Sequence, residues 1–309
     1  MDPHNKHPVS KRGIHIVTPE HAASQAALKA AAKGGWLRTR RHLGASNGTS
    51  NGTSNSTAAS PAPIRFLIDT SDPSVAALKA SNAAAYSFVV NQLIPGATSW
   101  LSSAIFLTVP TAGSLFVPRA CASYVTYSNG TFAWCTSLYT DICGPNNTPI
   151  NAAYLSPATV CNKKGTVCST VGGGQGAPSA DIAVIVSALT STADCGSTGL
   201  AFAGVCRQDV DTDRPVLAYI NFCPGTYNDT STAGYGYVVP VAAHELTHAL
   251  AFSPGVWPFF RNSSGLPRVD RTPLGSPIYK LDSTLNDYYY PGVTGVSVCI
   301  VCVCVCVCV

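Results

Sequence analysis

Glutamate is almost missing from this chain. Of its fifteen acidic residues only Glu20 and Glu245 are Glu, and charged residues make up just 11% of the 309 positions. Globular chains usually carry about a quarter. That scarcity excludes a charged disordered regulator, a coiled coil, and long helices laced with Glu–Lys pairs. Methionine occurs once, as Met1. No stretch reaches the ~18 consecutive apolar residues of a membrane-spanning helix. Eight of the nineteen Lys and Arg fall within the first 41 residues, so the remainder presents no basic face for nucleic acid. Residues 1–20 also lack the apolar run with which a secretory signal opens.

What is present points outward from the cell. Apolar residues reach 46%, enough for one large core or two modest ones. Thirteen cysteines divide into two groups. Eight lie in the body, at Cys121, Cys135, Cys143, Cys161, Cys168, Cys195, Cys206 and Cys223; an even set without CxxC pairs reads as a disulfide framework formed in an oxidising compartment. Seven Asn-x-Ser/Thr motifs agree, beginning at Asn47, Asn51, Asn55, Asn129, Asn146, Asn228 and Asn262; such motifs accept N-glycans on secreted surfaces. The expected location is the secretory pathway, extracellular or at the cell surface.

Composition also divides the chain. Residues 1–43 are basic and propeptide-like, ending in the processing-type run Arg38-Thr39-Arg40-Arg41-His42-Leu43. Residues 44–63 are a low-complexity Asn/Gly/Ser/Thr linker unable to bury apolar surface. The catalytic domain is expected over 64–252 and the start of an incomplete C-terminal subdomain over 253–298. Residues 299–309 alternate Val and Cys, as a repeated GT dinucleotide encodes, and read as translated microsatellite.

Within 64–252 the pattern is α+β. Ile64–Ile68 reads as a strand. Asp72-Pro73 supplies an N-cap and a first-turn proline, and Val75, Leu78, Asn82, Tyr86, Val89 and Leu93 recur at helical spacing until Pro95-Gly96 stops the helix. A strand is expected near Ala104–Val109, then a long cysteine-bearing loop region over 121–178. The runs 181–186 and 215–221 read as buried strands. The segment Ala180–Val186 is expected to line a cleft where an extended peptide pairs with a sheet edge.

The chemistry concentrates in His244-Glu245-Leu246-Thr247-His248, on a helix expected to start at Pro240 and end near Phe252. Four residues are slightly more than one turn, so both imidazoles leave one face and can meet one ion. Zn²⁺ accepts neutral imidazole and keeps a position for water. Glu245, on the flank of that face, can take a proton from such a water and pass it to a leaving amine. A buried helix with two satisfied histidines would show the same five residues. No Glu follows Glu245 and no His follows His248, leaving Asp270, Asp282 and Asp287 as acidic candidates for a third ligand.

The block Ala180–Phe252 resembles the leishmanolysin-like metallopeptidases. The resemblance is carried by ADIAVIVSA at 180–188, Leu200-Ala201-Phe202-Ala203 before Cys206, Arg214-Pro215, Asn221-Phe222-Cys223-Pro224, and HELTHALAF at 244–252. It extends more weakly back to Ile64. It implies a metzincin-like catalytic N-terminal half, a mixed sheet with an N-terminal helix and the HExxH helix, and a zinc metalloendopeptidase acting on protein or peptide substrates. His244 and His248 would be metal ligands and Glu245 the catalytic base. In that family a third His follows a long insertion and precedes a methionine turn; neither occurs here, as a chain ending short of them would show. The family's helix has Gly where Ala251 stands. Its propeptide silences zinc with a cysteine where Lys11-Arg12-Gly13-Ile14-His15 has Gly13. Two other readings stay open: a glycosylated binding or adhesion module with a relic zinc helix, and an aspzincin-like peptidase using Asp287.

Overall fold

A computed structural model describes residues 61–196, 199–227, 231–253, 255–262, 264–278, 280–282 and 287–289. The basic segment 1–43, nearly all of the 44–63 linker, the motifs at Asn47, Asn51, Asn55 and Asn228, and the Val-Cys repeat lie outside the described residues.

The first strand, β1 (Phe66–Asp69), leads into a helical run. Asp72 caps α1 (Pro73–Ser81), accepting from the Ser74 N–H at 2.8 Å, with Pro73 in the first turn as expected. Asn82 leaves the helical region and recaps the chain as α2 (Ala83–Phe88), accepting from the Ala85 N–H at 3.0 Å. Pro95-Gly96 does not stop the run. A π turn over Val89–Leu93 runs directly into α3 (Ile94–Ala104), so the chain stays helical through Pro95. The strand expected at Ala104–Val109 shrinks to Phe106–Leu107, because α3 takes the residues before it.

The cysteine-bearing region is not merely loop. It folds into a four-stranded sheet, β2 (Cys121–Thr126), β3 (Phe132–Leu138), β4 (Ala158–Cys161) and β5 (Cys168–Val171), in spatial order β5-β4-β3-β2. Cys121–Cys135 crosses the β2–β3 pair, and Cys161–Cys168 joins directly opposed residues of β4 and β5.

The core is built on the central sheet. β6 (Ile182–Ser187), β7 (Ala201–Gln208) and β8 (Pro215–Phe222) join β1 in the order β7-β8-β6-β1. β6 runs parallel to both β1 and β8, whereas β7 runs antiparallel to β8. Period-two alternation sorts side chains between the faces. Val184, Val186, Ala218, Ile220 and Phe222 join one apolar cluster with the helices, while Ala183, Ile185, Leu217 and Tyr219 join another beneath the cysteine-bearing region. A strand covered on both faces carries an unbroken apolar run, which is why ADIAVIVSA is so nearly pure hydrocarbon. The expectation that Ala180–Val186 lines a cleft is overturned: β6 has a neighbour on each side, and β7 holds the open edge next to the site.

The final helix, α4 (Thr232–Leu250), begins eight residues before Pro240. Pro240 deprives its interior of one hydrogen bond, a cost that burial of the preceding turns against α3 offsets. Val238 is buried there, with Tyr235 and Val239 packed against the same cluster. At the crossing of α3 and α4, Gly96 lets the helices close up, since a Cβ at that position would overlap the Tyr235 hydroxyl.

Together these elements make a mixed α+β fold with four disulfides. Cys143–Cys206 and Cys195–Cys223 complete the set, so all eight body cysteines pair, one of the 105 connectivities open to them. Among the described residues no helix is long and apolar enough to cross a membrane.

Candidate metal centre

Helix α4 places the motif by burying everything around it. Ala242, Ala243, Leu246 and Ala249 are buried in the helix-side cluster, which fixes the rotation of the helix about its axis. The remaining direction carries His244 and His248. Their rings lie edge to face with centroids 4.7 Å apart, and their Nε2 atoms approach to 3.1 Å. Two imidazole nitrogens on one tetrahedral zinc, each at 2.0–2.1 Å, stand about 3.3 Å apart. The pair is therefore spaced as two ligands of a shared ion would be.

His248 is oriented from behind. Its Nδ1 faces the carbonyl oxygen of Phe252, two residues beyond the end of α4. A donating Nδ1–H leaves the Nε2 lone pair directed at the site, the arrangement that holds ligating histidines in one tautomer. His244 is exposed at the mouth, and burial, then the neighbouring His248, lower its pKa toward the neutral ring a metal requires.

Glu245 differs in kind. It is only 5% exposed, and burial pushes its carboxyl up to about 8 against the opposing pull of a hydrogen bond from the Ala203 N–H. Ala203 lies on the edge strand β7, so the acid is aimed by a backbone donor of the sheet rather than by another side chain. A carboxyl that holds its proton near neutral pH is matched to proton exchange.

Asp270 is exposed, and the backbones of Asp282 and Asp287 oppose one another in a short antiparallel pair. Among the described residues no three His, Cys, Asp or Glu converge. Two contributors were missed in the sequence. The Phe252 carbonyl could have been found, since it lies four residues after His248 at a helix end; the Ala203 N–H had no side-chain signal at all.

Comparison with known proteins follows the same residues. Residues 155–285 match the family model for Leishmanolysin, a span containing β6, β7, β8 and the whole of α4. A leishmanolysin-like peptidase of Caenorhabditis elegans is 34% identical over 136 residues, 44% of this chain and 20% of that protein. One of Drosophila melanogaster is 28% identical over 218 residues, 69% of this chain and 31% of that protein. Over these residues the chain is similar to the leishmanolysin-like family. It spans between a fifth and a third of the length of these curated relatives.

Proposed function

We propose that the chain is a zinc-dependent metalloendopeptidase of the secretory pathway, secreted or held at the cell surface, with a metzincin-like catalytic half. The observation that carries this reading is the convergence of His244 Nε2 and His248 Nε2 at 3.1 Å beside a buried glutamic acid. His244 and His248 would hold the zinc, which when bound polarises a peptide carbonyl and makes water a nucleophile at neutral pH. The chain's own residues do the rest. A cation held by the two neutral imidazoles would favour the ionised form of Glu245. The carboxylate takes a proton from the attacking water and returns it to the leaving amine nitrogen. The Ala203 N–H holds the carboxylate in place through both transfers. The outer edge of β7 offers backbone groups to an extended peptide by strand addition. Four disulfides support this reading, since such bonds form and persist in an oxidising compartment.

The test uses the 309-residue chain with zinc in excess. Two imidazoles are one protein ligand short of a catalytic set, and full sets reach roughly 10–16 kcal/mol only by acting together. Wild type should take up one zinc weakly and cleave an unfolded protein substrate. Glu245→Gln should keep the zinc and lose about 10²–10⁴-fold in rate, and His248→Ala should lose the zinc. A wild-type chain with neither zinc uptake nor cleavage would overturn the proposal and leave the glycosylated binding module. Retained zinc affinity in Asp287→Ala would remove the aspzincin-like alternative.

A further inference from the structure

Two of the Asn-x-Ser/Thr motifs look alike in sequence, Asn129-Gly130-Thr131 and Asn146-Asn147-Thr148, yet the fold treats them in opposite ways. We propose that Asn129 is an N-glycan acceptor and that Asn146 is not, an inference resting on the secretory reading above.

Asn129 sits at the tip of the β2–β3 hairpin. The Gly130 N–H donates to the Tyr127 carbonyl at 2.9 Å, and the Tyr127 N–H donates to the Thr131 carbonyl at 2.8 Å, closing the turn. Gly130 has φ +80°, a conformation that suits glycine. Asn129 is exposed, and its Oδ1 accepts both the Thr131 N–H at 3.0 Å and the Thr131 hydroxyl at 2.6 Å. The two functional groups of the motif are thus already joined, and the Nδ2 side of the amide faces solvent with no hydrogen-bond partner among the described residues. The Cys121–Cys135 disulfide closes the same hairpin, so the contacts that shape the motif are local to it.

At Asn146 the same groups are spent on structure. Thr148 is 3% exposed and its hydroxyl donates to Asp72. Asn146 is exposed, as Asn129 is, but its Nδ2 is engaged, donating to both oxygens of that carboxylate at 3.3 Å each. Asp72 is the buried cap of α1, and the Cys143–Cys206 disulfide fixes the short hairpin that brings Asn146 to it. A sugar added at Asn146 Nδ2 would displace that nitrogen from the Asp72 carboxylate that caps α1. Chains so modified before folding would fail to seat this hairpin, so the folded, exported population is the unmodified one.

The reaction is a group transfer from a lipid-pyrophosphate-linked oligosaccharide. Asn129 Nδ2 forms a bond to the sugar C1 as the C1–O bond breaks. The lipid pyrophosphate leaves with the electron pair, and one amide proton passes to a base of the transferase.

The experiment expresses the full chain behind a heterologous signal peptide in a eukaryotic secretory host. The folded secreted protein is then deglycosylated enzymatically in heavy-oxygen water and mapped by mass spectrometry. The Asn129 peptide should carry a heavy-oxygen aspartate in most molecules and the Asn146 peptide none. Asn129→Gln should shorten the intact mass by one glycan, whereas Asn146→Gln should leave the glycan mass unchanged. An unlabelled Asn129, or a labelled Asn146 in folded protein, would overturn the inference. Because the added signal forces entry, failure of the unfused chain to be exported would count against the secretory reading alone.

Discussion

The most informative perturbation of the fold is Asp181→Asn. Asp181, immediately before β6, has a fully buried carboxylate that gathers four donors: the Arg65 N–H at 3.0 Å, Arg65 Nε at 2.8 Å, Arg65 Nη2 at 3.0 Å and the Thr111 N–H at 2.6 Å. Arg65 Nη2 also donates to the Thr111 carbonyl at 2.7 Å, so three separate segments are tied at one point. Burial by itself would raise the carboxyl's pKa; the Arg65 guanidinium and the two N–H donors outweigh it and bring the pKa down to about 2, from an ordinary 3.8. A depressed folded-state pKa stabilises the protein above the unfolded value, and that contribution fades as pH falls from about 4 toward 2. Nearly two units at 1.36 kcal/mol each set a ceiling near 2.4 kcal/mol, but the Arg65 side chain is 38% exposed and screened, which brings the ionic part to about 1–2 kcal/mol. At neutral pH the variant also strands the guanidinium, so its total loss should be about 2–3 kcal/mol. Guanidinium unfolding of wild type and Asp181→Asn, repeated at falling pH, measures this directly. The gap between the two proteins should narrow by 1 kcal/mol or more as pH drops from about 4 to 2. A gap that stays constant across that window refutes the ion-pair account of the clamp.

Two further outcomes follow from the same structure. Cys143–Cys206 closes a separation of 63 residues and ties the bulged end of β7 to the hairpin beside Asp72. Replacing both cysteines with Ser should cost about 4 kcal/mol, read as a fall in the thermal midpoint; the Cys161–Cys168 pair, closing only 7 residues, should cost less in the same assay. Leu246 lies between the two histidines but points into the helix-side core at 2% exposure, so Leu246→Ala should lose about 3 kcal/mol in chemical denaturation. A loss under about 1 kcal/mol would mean that α4 is not rotated as described.

The parts of the fold legible in the sequence are those where one physical demand dominates. β6 must bury both faces, so its run is almost wholly apolar and can be read directly. Asp72-Pro73 must begin a helix, and Asp72 does cap α1. Where two demands compete, reading by pattern misplaces the element. Pro95 and Pro240 both look like helix boundaries, yet the chain passes each in helical conformation, once through a π turn and once because the turns before Pro240 pack against α3. The β2–β5 sheet is hidden for another reason. Its strands are short, bulged and partly exposed, with Ser and Thr on the open face, so they have no clean alternation and sit between residues that signal turns.

The candidate site divides along the same line. Its side chains announce themselves, since His at a four-residue spacing is chemically distinctive and Glu245 stands in a chain with only one other glutamate. Its supports do not, because both are main-chain groups. Any residue but proline at 203 supplies the N–H that Glu245 accepts, and any residue at 252 supplies the carbonyl facing His248. Their positions depend on pairing of β7 with β8 and on where α4 ends, both consequences of burial far from the motif. A substitution at Ala203 or Phe252 that preserves the backbone should therefore leave the site's polar geometry intact. One that shifts the register of β7, or unwinds the last turn of α4, should disturb it without touching His244, Glu245 or His248.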